Sequence, residues 1–310
     1  MNSLYNKLRE KYKKIITNGL GDVVEEEDKL ICYVKKRSFK KSYGEYILTC
    51  SGLRENDKLT LERFQLNKPI CYVIDGLEFD KNFVSVFGYD NCEVIIKNCR
   101  FDADLEIIIM GKCTIDNTSI KTVGKSVEGH TLTLPKYAHE LTIRNMNFGQ
   151  ITSKHTDANI INFSAKDKLE IIDSKLNDNR TTLEFHSENE INIANSTLWG
   201  ECVSLEAFTV NTDKNSGIDA ETILLKMDDF NFIDLYSEKI FLNYKRILKD
   251  LTEERGHIFL KRENTPLAIK RLELIELLKS IERKCEDINS KKANEYKRVL
   301  DSKTITRVMK

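Results

Sequence analysis

Nowhere in its 310 residues does the chain hold an apolar run near the roughly 18 residues that a transmembrane helix needs. The opening stretch MNSLYNKLREKYKK lacks the apolar core of a secretion signal. Eight cysteines are scattered without one Cys-x-x-Cys pair. Together these absences predict reduced thiols, a cytoplasmic location and no membrane partner, rather than a disulfide frame. Tryptophan occurs once, at Trp199, which leaves little aromatic platform for stacking sugars. There is no Gly-x-Ser-x-Gly elbow, no Walker loop and no dinucleotide fingerprint. Nucleophilic catalysis therefore has no motif to start from, and no cofactor is expected.

Net charge is absent too, with 49 basic against 49 acidic side chains. The balance conceals a segregation. Residues 1–50 carry 11 basic and 7 acidic groups, a net +4, and residues 231–310 carry 19 and 13, a net +6. The intervening 51–230 carries 19 and 29, a net −10. An acidic body repels phosphate and argues against a long nucleic-acid track. The basic ends hold two stretches suited to phosphate, KKRSFKKSY (35–43) and SKKANEYKR (290–298). Lysine-rich ends are ordinarily solvated faces, so nucleic acid is not the partner expected first.

What the chain does have is a six-residue pattern: apolar, x, turn-forming residue, x, x, apolar. It reads IDGLEF from Ile74, IKNCRF from Ile96, IDNTSI from Ile115 and IRNMNF from Ile143. It continues as IIDSKL from Ile171, IANSTL from Ile193 and LKMDDF from Leu225. The third position is Gly76, Asn98, Asn117, Asn145, Asp173, Asn195 and Met227. All but the last are residues that enter the left-handed backbone region at least cost. The pattern thus predicts two short strands meeting at a bend, with the apolar ends pointing into a core. The starts lie 22, 19, 28, 28, 22 and 32 residues apart, the spacing of a solenoid whose units bury their faces by stacking. Stacked bends would let Asn98, Asn117, Asn145, Asp173 and Asn195 hydrogen-bond in a ladder.

The pattern resembles the right-handed parallel β-helix of the pectate-lyase-like superfamily, at the level of fold, over roughly residues 70–230. The fold expected is mainly β: a right-handed parallel β-helix solenoid with an N-terminal capping helix and a C-terminal α-helical region. The division expected is 1–45 as the cap, 46–230 as the β-helix and 231–310 as a helical hairpin or coiled-coil region. In the cap, Leu4, Leu8, Tyr12 and Ile15 or Ile16 form a helical stripe, and Asn18-Gly19 is a stop signal. In the C-terminal region, 231–251 and 264–300 read as amphipathic helices. Leu274, Leu278, Ile281, Cys285 and Ile288 form a heptad-like seam, buried either within one chain or across a homodimer axis.

Function is less legible. The longer coils carry their extra residues in KTVGKSVEGH (121–130) and GQITSKHTDA (149–158), with a further insertion at 209–220. Side by side on one edge, these loops would gather Lys121, Lys125, His130, Lys154, His155 and Asp157 into a binding surface. A metal held by His130, His155 and Asp157 lacks any short ligand spacing, and no metal is expected. His186 alternates outward as a surface residue, and His139 and His257 have no evident partner. The resemblance implies carbohydrate cleavage by converging carboxylates. Asp75, Asp116 and Asp173 lie near the bends, yet Asp75 and Asp116 take position two and Asp173 position three, so they share no register. Cys71, Cys92 and Cys113 are spaced by 21 residues but fall at different offsets from the pattern, as small core residues would. The reading that follows is a non-catalytic cytoplasmic scaffold that binds a macromolecular partner, a protein first of all. A glycan-acting enzyme and a nucleic-acid binder using the basic ends are the alternatives.

Overall fold

A computed structural model of the chain describes residues 2–51, 58–80, 83–89, 92–122, 131–147, 151–153, 159–213, 215–231, 234–244, 258–261 and 268–270. Most of them are strand, and most strand pairs are parallel. Among them no helix is long and apolar enough to cross a membrane.

The six-residue pattern becomes a strand, a bend and a second strand. At the bends, Asn98, Asn117, Asn145, Asp173 and Asn195 have φ of 52°, 43°, 53°, 50° and 47°, and Gly76 has 65°. Met227 departs from the series and lies inside the strand Gly217–Asn231. Strands before the bends pair in strict register, so that Ile74, Ile96, Ile115, Ile143, Ile171 and Ile193 form one column. Each is at most 2% exposed. After the bends, Phe79, Phe101 and Ile120 form a second column. A third face comes from the later strands, where Phe163, Phe185 and Leu205 stand in register. The alternation of buried and half-buried residues along these strands is the period-2 signature that turns one face to the core.

Three lines of hydrogen bonds tie one bend to the next. The first is backbone: the N–H groups of Asn98, Asn117, Asn145 and Asp173 donate to the carbonyls of Asp116, Arg144, Ile172 and Ala194 at 3.0–3.1 Å. The second is on the surface. Asn117 Nδ2 donates to Asn98 Oδ1 at 2.9 Å, amide to amide. The other rungs end on carboxylates: Asn98 on Asp75 at 2.9 Å, Asn145 on Asp116 at 2.8 Å and Asn195 on Asp173 at 2.6 Å. The third line is buried, at the residue after each bend. There Cys99 N donates to Thr118 Oγ1 at 3.3 Å, Met146 N to Ser174 Oγ at 3.2 Å and Ser174 N to Ser196 Oγ at 3.0 Å. Ser196 N donates to Ser216 Oγ at 3.1 Å, and Thr118 N meets the Met146 thioether sulfur at 3.3 Å. Bends would otherwise bury unpaired N–H groups, and these hydroxyls satisfy them.

Asp213 closes the series. It accepts from Asn195 N at 2.9 Å, Asn215 N at 3.0 Å and Ser216 Oγ at 2.6 Å. Burial pushes its carboxyl up, but the Ser216 hydroxyl and the surrounding backbone N–H groups outweigh that and hold it below the ordinary aspartate value. At the bends themselves, Asn145→Leu is expected to cost about 1–2 kcal/mol, because a branched apolar side chain is strained at positive φ. An unmoved midpoint in a urea titration would show that the bend does not demand its asparagine.

Both ends differ from expectation. The parallel sheet begins before residue 46: Leu30–Val34 already pairs in parallel with Ile70–Asp75. Its continuous apolar run carries no bend residue, so the repeat pattern misses it. The helix Asn2–Ile16 does end at Asn18-Gly19, both with positive φ. Only part of its stripe is inward. Tyr12 stacks on Phe64 at 4.6 Å and Ile16 packs on the cluster of Leu30, Leu61 and Leu66, while Leu4 and Ile15 are exposed. Glu25 holds the helix on the sheet edge, taking Arg9, Lys13 at 3.0 Å and Lys68 at 3.3 Å. At the other end, Asp234–Tyr244 is a strand, not the helix expected over 231–251, and it pairs in parallel with Gly217–Asn231. Ala268–Lys270, inside the second expected helix, is also strand. An open strand edge needs a partner, and that need overrides a weak helical period in a segment that holds Tyr236, Ile240, Phe241 and Tyr244. Leu274, Leu278, Ile281, Cys285 and Ile288 lie outside the described residues.

Candidate functional site

Of the six loop residues expected to gather, Lys121 is placed, half-buried on the strand Ser119–Thr122. Lys125, His130, Lys154, His155 and Asp157 lie outside the described residues. The anchors of their loops are described. Lys121 pairs with Thr152 and Thr122 with Ser153, so the two loops leave from neighbouring parallel strands. They re-enter at Thr131 and Asn159, on strands that again pair in parallel, with Thr131 opposite Ile160. Both loops therefore start and finish side by side on one edge.

The strand Asn159–Ala165 runs from that edge to a cleft at its far end, about 20 Å away at the rise of a strand. The cleft has a volume of about 620 Å³ and is lined by Met110, Tyr137, His139, Lys166, His186 and Glu188, over a floor of Ser164 and Ala165. Its side chains come from segments far apart in the sequence. Ser164, His186 and Glu206 stand in one row across three parallel strands, outward because Phe163, Phe185 and Leu205 beside them point in. His139 Nδ1 lies 2.9 Å from Asp167 Oδ2, a hydrogen bond that orients the ring and directs its second nitrogen to other partners. His186 Nδ1 is 3.7 Å from Glu206 Oε2, beyond hydrogen-bond length, and attracts it only when protonated. Tyr137 stands at the mouth, 72% exposed, with a left-handed backbone at φ 67°. Such a cleft offers an aromatic face, two imidazoles, an ammonium and a carboxylate to a polar ligand. Among the described residues no three His, Cys, Asp or Glu side chains converge as a metal site.

Sequence reasoning left His139 without a partner. A signal was present, since His139 and Asp167 each precede a pattern start by 4 residues, at Ile143 and Ile171. Equal offsets from strands that pair in register mean neighbours in space. The carboxylates singled out near the bends are otherwise engaged. Asp75 accepts from Asn98 and pairs with Lys97 at 3.3 Å, Asp116 accepts from Asn145 and Arg144, and Asp173 accepts from Asn195. Cys71 stands opposite Glu93 and Cys113 opposite Val94, so the 21-residue spacing does not make a column. Burial raises both thiols to about 12, far from reactive. No family model, curated protein or solved structure matches the chain.

Proposed function

We propose that the chain winds as a right-handed parallel β-helix and serves as a non-catalytic scaffold for a macromolecular partner, a protein. The observation that carries this reading is the in-register pairing at both ends of the two long loops. Loops anchored in this way on a stacked sheet form one composite surface, and a rigid frame spares them part of the ordering entropy of binding. The bends support the β-helix, since left-handed residues recur in register along one column of parallel strands. A cytoplasmic location accords with the described cysteines, none of which forms a disulfide. The homodimer seam at 274–288 belongs to the same proposal. Its alternative mate, the helix expected over 231–251, is strand from Asp234 to Tyr244.

The test is affinity capture from native cell extract. A partner is expected with the wild-type chain and lost when residues 123–130 and 154–158 are each replaced by a short Gly-Ser linker. Capture unchanged by the replacement would remove the loops from the binding surface. The cleft favours a second reading, a glycan-acting protein, because Tyr137 presents an aromatic face beside His139, His186 and Glu188. Turnover of a polysaccharide that Glu188→Gln abolishes would replace the scaffold reading with it.

A further inference from the structure

The basic stretch 35–43 takes a definite form. The turn Lys36–Ser38 leads into the strand Lys40–Ser42, which doubles back on Glu45–Ser51 through a tip at Tyr43-Gly44, with φ of 47° and 88°. That strand is the outer edge of its four-stranded sheet. Phe39 is the anchor, 5% exposed and 4.8 Å from the Phe79 ring. Around it Lys36, Arg37, Lys40, Lys41 and Tyr43 are exposed, and Tyr43 completely so. Two of the ammonium groups sit over aromatic rings, Lys36 at 4.9 Å from Phe79 and Lys41 at 5.6 Å from Tyr46. Among the described residues, the salt bridge this stretch makes is Lys35 to Asp22 at 2.5 Å. Asp22 is held below the ordinary aspartate value by that hydrogen bond first, and against burial by the charges of Lys35, Arg37 and Lys14.

We propose that this hairpin binds single-stranded nucleic acid, with Tyr43 stacking on a base and Arg37, Lys40 and Lys41 on the phosphates either side. Exposed cations left without carboxylates supply the charge, and a tyrosine held clear of the surface supplies the π-face that a sequence-tolerant single-strand site uses. An acidic peptide fits less well. The open edge is three residues long and carries lysines, which discourage strand addition, and a carboxylate gains nothing from the ring. A duplex would extend from the hairpin over the acidic body and be repelled.

The test uses the full chain and a fluorescein-labelled oligothymidylate of about a dozen nucleotides, read by anisotropy. Saturable binding is expected, weakening with salt at a slope of about −0.7 per phosphate contacted. Lys40→Glu with Lys41→Glu should weaken it about tenfold or more and flatten the slope. Tyr43→Ala should weaken it about fivefold or more and leave the slope unchanged. All three side chains are exposed, so thermal unfolding should not move. Should the double variant unfold, Arg37→Gln is read in its place and should weaken binding with a shallower slope. The proposal fails if binding does not saturate, if charge reversal or Tyr43→Ala changes nothing, or if a polyglutamate peptide competes equally, which would transfer the hairpin to acidic proteins.

Discussion

Phe185→Ala is expected to destabilise the protein by about 3–5 kcal/mol, the largest single effect foreseen. The ring is 1% exposed and stacks on Phe163 with centroids 5.2 Å apart and planes 13° from parallel. Its column continues through register to Leu205. Truncation removes apolar burial and leaves a cavity that neither neighbour can close, because each is held by its own strand pairing. The loss also weakens the apolar face shared with the two strands paired on either side, Asn159–Ala165 and Thr197–Thr212. The urea midpoint should fall sharply, whereas Phe208→Ala, at a site 55% exposed, should stay within about 0.5 kcal/mol of the wild type. Equal effects from the two would mean the ring at 185 is not in a closed core.

Ser196→Ala is the second large effect, at about 2–3 kcal/mol. Ser196 is 1% exposed and serves both neighbouring levels. Its hydroxyl accepts from Ser174 N at 3.0 Å and donates to Ala194 O at 2.7 Å. Alanine would leave the Ser174 N–H buried with no acceptor and no room for water, which is worse than never having made the bond. Ser196→Thr should recover most of the loss, since Thr118 fills the equivalent place after another bend with the same bonds, to Cys99 N and Asp116 O. A stable Ser196→Ala protein would mean that the buried hydroxyl line is incidental. If threonine fails to rescue, the site is limited by volume instead of hydrogen bonding.

The two predictions fall on opposite sides of what could be read in advance. Phe185 belongs to an alternating apolar run, LEFHSEN, that reads as strand without help. Ser174 and Ser196 sit one place beyond the bend residues, in the fourth position of the pattern, where Cys99, Thr118, Met146, Ser174 and Ser196 look like an unrelated mixture. Only stacking shows that one buried N–H must be met at each level, and that a hydroxyl or a thioether meets it. The cleft was hidden for a similar reason. His139 and Asp167 are 28 residues apart, and nothing local joins them until the strands that follow them are known to pair.

By itself the sequence determined the bends and the direction in which their flanking side chains face. Left-handed backbone is a matter of one residue's own sterics, so Asn98, Asn117, Asn145, Asp173 and Asn195 announce it without knowing their neighbours. Tertiary structure decided everything that depends on pairing. It drew Leu30–Val34 into the sheet ahead of the first bend, and it made Asp234–Tyr244 a strand because the edge of Gly217–Asn231 required a partner. It also brought Ser164, His186 and Glu206 into one row and led the two long loops from adjacent anchors. The physical reason is range: a bend is set within one residue, whereas a register is set by a hydrogen-bond ladder between segments that no local preference connects.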